Sequence, residues 1–164
     1  MPSTYTPIAT TTLSTATASI TFSSIPATYT DLILVFNGGL DPSANELSLR
    51  FNGLSSNIYS YTRLQGNGSS ATSNRFTNTN YMHIGSPGNS LVIGNSINHI
   101  MNYANTTTYK TLLSRSNFTN RELMATAGLF SSTSAITSLT LANSDSNQFL
   151  SSGSSLTLYG IKAA

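Results

Sequence analysis

Five carboxylates and two imidazoles carry most of the acid–base chemistry open to this sequence. Asp31, Asp41, Glu46, Glu122 and Asp145 are its acidic residues, and His83 and His99 its histidines. Cleaving a glycosidic bond would require two carboxylates to converge from separate strands, roughly 5–10 Å apart. Local context argues for plainer roles. Asp31 follows Tyr29-Thr30 and precedes an apolar run, as a turn cap would. Asp41-Pro42 is a turn pair, Glu122 follows Arg121, and Asp145 lies in a Ser/Asn loop. His83 and His99 are too far apart for a helical metal pair, and an isolated strand histidine is usually a hydrogen-bonded structural residue. The chain has no Cys, which excludes thiol catalysis, disulfides and Cys-ligated zinc. It has no nucleophile elbow, phosphate loop or dinucleotide fingerprint. The expectation is no enzyme, no catalytic residue, no metal and no cofactor. A polysaccharide-degrading enzyme with a carboxylate pair hidden in space is kept as a third reading.

Aromatic residues offer a different chemistry. In an extended segment Tyr59, Tyr61 and Arg63 fall on one face, and Tyr103 and Tyr109 flank an Asn/Thr loop. Tyr and Arg are favoured at protein interfaces, and aromatic platforms beside amides and hydroxyls also suit sugars. Core, interface and sugar platform all remain open for these residues.

Composition narrows the setting. Charged residues make up 7% of the chain, against about 25% in an average soluble protein, yet 38% is hydrophobic, so the low charge does not signal disorder. Polarity comes from Ser, Thr and Asn, which suit exposed strand positions and tight turns better than helix interiors. The seven Lys and Arg are scattered rather than clustered, which argues against a nucleic-acid partner. No apolar run reaches the ~18 residues of a membrane helix. Residues 1–8 lack the basic and apolar regions of a signal peptide, so the protein is expected to stay where it is made until lysis. The three sequons, at Asn67, Asn105 and Asn117, are chance in so Asn-rich a chain.

The elements that would position these residues read as strands. Val92 to Tyr103 is the best helical candidate, but Gly94, Asn95, Asn98 and Asn102 interrupt it and strand is preferred. Other segments show alternation or short apolar runs: Ala16 to Phe22, Leu32 to Phe36, Glu46 to Phe51, Ile58 to Leu64, Arg75 to Ile84, Leu91 to Ile93, Ser96 to Tyr103, Tyr109 to Phe118, Met124 to Phe130, Ala135 to Leu141 and Ser155 to Ile161. Leu32 to Phe36 is continuously apolar, which predicts burial on both faces. Turns are predicted at Asn37-Gly38-Gly39, Asn52-Gly53, Asn67-Gly68 and Ser86-Pro87-Gly88-Asn89, and Gly66 to Asn74 reads as the most flexible loop. The fold expected is all-β: one jelly-roll-like β-sandwich of about ten strands over residues 16–164, with little or no helix.

Residues 1–15 read as an extended N-terminal arm, in which Tyr5 to Thr11 is a Pro-containing edge strand or arm. Pro2 and Pro7 withhold two backbone donors, and Tyr5, Ile8 and Leu13 are few anchors for so long a segment. The arm is therefore expected to dock on another subunit. Pro2, Tyr5, Pro7, Ile8, Tyr59, Tyr61 and Arg63 are the candidate assembly contacts.

Two stretches have a familiar form. Phe22-Ser-Ser-Ile25-Pro26-Ala-Thr-Tyr29-Thr30-Asp31-Leu32 runs into an apolar strand, and Leu156-Thr-Leu158-Tyr159-Gly160-Ile161-Lys162 lies near the C-terminus. Asn102-Tyr103 and Tyr109-Lys110-Thr111 stand in order between them. Across most of its length the chain resembles small virion proteins of tailed bacteriophages, including phages of cyanobacteria and other aquatic bacteria. The resemblance implies a head-decoration (cement) protein or a tail-fibre module with a jelly-roll fold, assembling as a homotrimer. It carries over no site residue. The first reading is thus a capsid decoration protein, made in the host cytoplasm and resident in the virion, whose partners are the major capsid protein or other virion proteins. The alternative is a tail-fibre or receptor-binding module that recognises host surface polysaccharide.

Overall fold

The computed structural model describes residues 4–40, 46–86, 93–118, 122–144 and 150–162. Pro2, Asp41, Arg121 and Asp145, the strand start at Leu91 and most of the turn beginning at Ser86 fall outside them.

Twelve strands account for the regular structure, and no helix occurs among the described residues. They are β1 (Tyr5–Thr12), β2 (Ser19–Phe22), β3 (Asp31–Gly38), β4 (Leu47–Phe51), β5 (Tyr59–Gly66), β6 (Ala71–Thr79), β7 (Met82–Gly85), β8 (Gly94–Met101), β9 (Lys110–Phe118), β10 (Glu122–Phe130), β11 (Leu139–Asn143) and β12 (Ser155–Ile161). They form an eight-stranded sheet, β1-β12-β3-β8-β9-β10-β5-β6, and a four-stranded sheet, β2-β11-β4-β7. Every strand pairing is antiparallel.

The order resolves into a jelly roll with additions. Setting aside β1, β12 and the β9–β10 hairpin leaves β2-β11-β4-β7 opposite β3-β8-β5-β6. Along the chain these eight strands cross from sheet to sheet in the sequence that two nested Greek keys require. The β9–β10 hairpin is wedged between β8 and β5, while β12 and β1 extend the sheet beyond β3. The larger sheet is therefore twice as wide as its partner.

The core lies where both sheets overlap. Leu32, Leu34 and Phe36 of β3 are fully buried, and Ile33, on the opposite face, is nearly so. The two-sided burial read from that apolar run holds at Ile33 but only in part at Val35, which is half-buried on the same outer face. Phe51, Tyr59 and Phe130 form an aromatic cluster, with Tyr59 and Phe130 stacked 5.2 Å apart. Burying each such side chain contributes roughly 1.5–3 kcal/mol.

Asn52-Gly53 makes the expected turn, with φ of 54° and 66°. The Asn52 side chain reaches across to the segment before β11: its Oδ1 accepts from Thr137 N (2.8 Å) and Ser138 N (3.2 Å), and its amide donates to Ala135 O (2.8 Å). Those bonds hold residues 135–138 out of the ladder, so β11 starts at Leu139 rather than Ala135. Asn37 and Gly38, by contrast, form no turn; they extend β3 and pair with Ser155, Asn95 and Gly94. Gly38 is needed because a Cβ there would collide with Ser154. Gly66 to Asn74 is not a long loop: Gly66 pairs with Ala71, and Asn67 Oδ1 closes a tight connection by accepting from Ser69 N and Ser70 N.

The N-terminal arm is an edge strand, as one reading had it, but its partner departs from expectation. Residues Tyr5–Thr12 are the edge strand of this chain's own sheet, paired with β12 from Tyr5↔Ile161 to Thr12↔Ser155. Ile8, Ala9 and Leu13 pack against the core. Hydrogen bonding to β12 supplies what the few apolar anchors could not. Pro7 sits where its missing N–H matters least, exposed on an edge strand at a bulge between Pro7 and Ala9.

Candidate functional site

The wide sheet presents an outer face that the small sheet cannot cover. Alternation along β3, β8 and β9 sends Ile33, Val35, Ile97, His99, Leu113 and Arg115 to that face. Register aligns them in two rows: Tyr159, Ile33, His99 and Leu113 lie side by side, as do Val35, Ile97 and Arg115. Further along the second row come Ala125 and Leu64. Leu113, Leu64 and Leu123 are more than half exposed here, although none is polar.

A groove of about 520 Å³ runs along this face, lined by Tyr5, Ile33, Val35, Ile97, His99, Leu113, Arg115 and Tyr159. Its floor is aliphatic. One wall is the Tyr5–Tyr159 pair, edge to face with ring centres 6.4 Å apart. His99 is held by Asp31, whose Oδ2 lies 2.8 Å from Nε2; Asp31 Oδ1 also accepts from Asn102 N (2.8 Å). Asp31 is thus committed to the turn after β8, where Asn102 adopts φ 53°. The exposed Arg115 has no anionic partner among the described residues, and a second depression of about 220 Å³ lies on its far side, bounded by Asn95, Asn117 and Leu123. The arrangement offers apolar contact, aromatic edges and one cation.

The inter-sheet space holds a second polar constellation. His83 on β7 is fully buried. Its Nδ1 lies 2.6 Å from Arg63 Nη1 and 3.6 Å from Glu46 Oε1, and its Nε2 lies 2.8 Å from Gly85 O. The carbonyl must accept, so Nε2 carries the hydrogen and Nδ1 receives Arg63's donor. Burial lowers the His83 pKa; nearby Glu46 opposes that and Arg63 reinforces it. Glu46 also accepts from Tyr81 Oη (2.8 Å), and burial plus that carboxylate push Tyr81 well above the ordinary phenol range. Tyr61 is pushed up to about 12, chiefly by burial. Elsewhere the ammonium of the buried Lys110 donates to Thr108 O, Ser132 O and Thr133 O at 2.7–3.3 Å, and burial lowers its pKa. Glu122 is bonded to Gln65. Asp31, Glu46 and Glu122 therefore occupy three separate networks with three separate sets of partners.

The candidate assembly contacts divide. Tyr5 is on the groove wall, Pro7 is exposed beside it, and Ile8 is half-buried against the core. Tyr59 and Tyr61 are not surface contacts: both are buried. Tyr59 Oη accepts from Phe51 N and donates to Leu54 O, and Tyr61 stacks on Phe76 with ring centres 4.8 Å apart. Arg63 shares their inward face, lying over Phe76 and against His83. These three residues do share one face, as read from their spacing, but the inner one. Tyr103 is also buried, its hydroxyl donating to Pro26 O, whereas Tyr109 is exposed.

Of the groove's residues the sequence reading named Tyr5 as a contact and weighed His99, while Ile33, Val35, Ile97, Leu113, Arg115 and Tyr159 escaped it. The usable signal was Ile33 and Val35, apolar at the second parity of β3, followed by Ile97 and Leu113. Polar Ser96, Asn98, Ser114 and Ser116 obscured it by facing inward, where Ser96 and Ser114 donate to Ile84 O and Asn98 donates to Leu34 O.

No family model matches this chain, and no curated protein matches it either.

Proposed function

We propose that this chain is a non-enzymatic structural protein of a tailed-phage virion, a capsid decoration protein that docks on the shell through the outer face of its eight-stranded sheet. The observation that carries the reading is that face: Leu113, Leu123 and Leu64 of β9, β10 and β5 are more than half exposed beside the partly covered Val35 and Ile97 of β3 and β8, and among the described residues no helix or second sheet lies over them. Exposed apolar surface of this kind marks protein contact sites. The sparse charge fits docking that tolerates changes of salt, since little of the attraction would be ionic. The virion setting comes from the sequence resemblance, with the major capsid protein as partner.

Binding to purified particles tests it. The wild-type protein should sediment with decorated shells in hundreds of copies, and Leu113→Glu should weaken binding by about 30-fold or more, the scale of a hot-spot residue. Sedimentation of wild type and Leu113→Glu to equal extents would remove the face from the account. The second reading, a tail-fibre module, is favoured by the Tyr5–Tyr159 wall, which could stack on a sugar ring. A handful of copies per particle and retention on host polysaccharide would select it.

A further inference from the structure

The eight-stranded sheet has two edges, and they differ. At β1 the edge is blunted by Pro7 and by the bulge between Pro7 and Ala9. At β6 it is not. Residues Ala71 to Phe76 pair regularly with β5, contain no proline, and expose every side chain except the partly covered Phe76. Among the described residues no strand pairs with the other side of β6. Arg75 is its one charge. The strand is also well anchored, since Phe76 stacks on Tyr61 and lies under the Arg63 guanidinium, 5.0 Å from ring centre to charge. A straight, rigid edge without proline or an inward charge is a template for another strand.

We propose that this edge takes the β6 strand of a second copy of the chain, antiparallel, across a two-fold axis perpendicular to the sheet. The residues argue for that occupant. The small sheet's edges, β2 and β7, are four residues each, too short to pair well with it. β1, the other edge of the same sheet, is blunted. A two-fold pairing consumes the open edge and closes, whereas a head-to-tail contact would leave one open edge at each end.

The axis must fall on a residue, so that outward side chains of one copy meet outward side chains of the other. Centring it on Arg75 would oppose two guanidinium groups. Centring it on Ser73 places Arg75 opposite Ala71, and centring it on Asn74 places Arg75 opposite Ser73. The first opposes Thr72 to Asn74 and Ser73 to Ser73, polar pairs that suit cross-strand contact; the second opposes Asn74 to Asn74 and Thr72 to Phe76. With Ser73 at the axis the two Arg75 residues are offset by four positions along the ladder, roughly 14 Å, beyond the screening distance of about 8 Å at physiological salt. So short a seam binds weakly alone, and it gains strength when both copies are tethered to one surface.

The chain has no cysteine, which gives a clean test. Directly opposed strand residues lie within disulfide reach. Under oxidising conditions either Ser73→Cys or Asn74→Cys should cross-link into a species of twice the 17.4 kDa chain mass, at least tenfold faster than Arg75→Cys, which is equally exposed but offset. In parallel, wild type should show a concentration-dependent rise in mass toward the dimer by sedimentation equilibrium. The double variant Ser73→Lys with Asn74→Lys, at two exposed sites, should remain at monomer mass with an unchanged melting temperature. Equal cross-linking at all three positions, a wild type that stays monomeric or forms trimers, or a double-lysine variant that still dimerises would each overturn the proposal.

Discussion

Arg63 Nη1 lies 2.6 Å from His83 Nδ1, a contact that a neutral imidazole accepts and a protonated one cannot. The arrangement commits the folded protein to an uncharged His83. Its pKa is lowered from 6.5, first by burial. The unfolded chain therefore binds more protons than the folded one between the folded-state pKa and 6.5. Stability from this group is fully present above pH 6.5 and is lost as pH falls toward the lowered value. The slope is at most about 1.4 kcal/mol per pH unit for one proton. Denaturant midpoints taken from pH 7.5 to pH 4.5 should fall, and His83→Gln should flatten that part of the profile. An identical pH dependence in His83→Gln would assign the acid sensitivity elsewhere.

Two leucines separate folding from docking. Leu34 is fully buried and Leu113 is 54% exposed. Leu34→Ala should cost about 2–5 kcal/mol of unfolding free energy, and Leu34→Asp should abolish soluble expression. Leu113→Ala should shift stability by no more than about 0.5 kcal/mol while weakening particle binding. Urea titrations of Leu34→Ala and Leu113→Ala measure the difference directly.

Lys110 holds the segment after β10 through three carbonyls. Lys110→Met keeps the aliphatic stem but leaves those acceptors unmatched, for an expected loss of about 1–3 kcal/mol. Faster amide hydrogen exchange should concentrate around residues 131–136. A variant as stable as wild type would mean that the cost of burying the ammonium cancels its bonds.

The arm is an integral strand, so its removal should damage the domain itself. Deleting residues 1–12 strips the partner from β12 and takes Ile8 and Ala9 off the core. The truncated protein should melt at least 10 °C lower or fail to express in soluble form. A truncated protein of wild-type stability would show that β12 makes an adequate edge alone.

Strand positions were largely legible because alternation survives wherever one face meets the core, as in Leu47, Leu49 and Phe51 of β4. Turn chemistry was legible at Asn52-Gly53, where positive φ demanded it. It misled at Gly38, where the glycine answers to Ser154 across space, which no local pattern records. The sheet partition depends on the β9–β10 hairpin lying between β8 and β5, a long-range placement. The candidate site was hidden for a related reason. Ser96, Asn98 and Ser114 find acceptors inside the sandwich, and Ser116 is buried there beside them, so their strands read as polar on the side that faces inward. Tyr59 and Tyr61 were misplaced because tyrosine fits either side: Tyr59 is buried with its hydroxyl satisfied by Phe51 and Leu54.

The pairing of Tyr5 with Ile161 sets the first and last strands side by side with their outer ends at one corner. The chain enters β1 and leaves β12 at that corner. Tension applied across those two points would peel β1 from β12 one bond at a time, as a zipper opens, instead of shearing many bonds together. The molecule is thus mechanically soft when stretched between its ends and stiff when pressed through its sheets. As a clamp it would bear load across its flat faces.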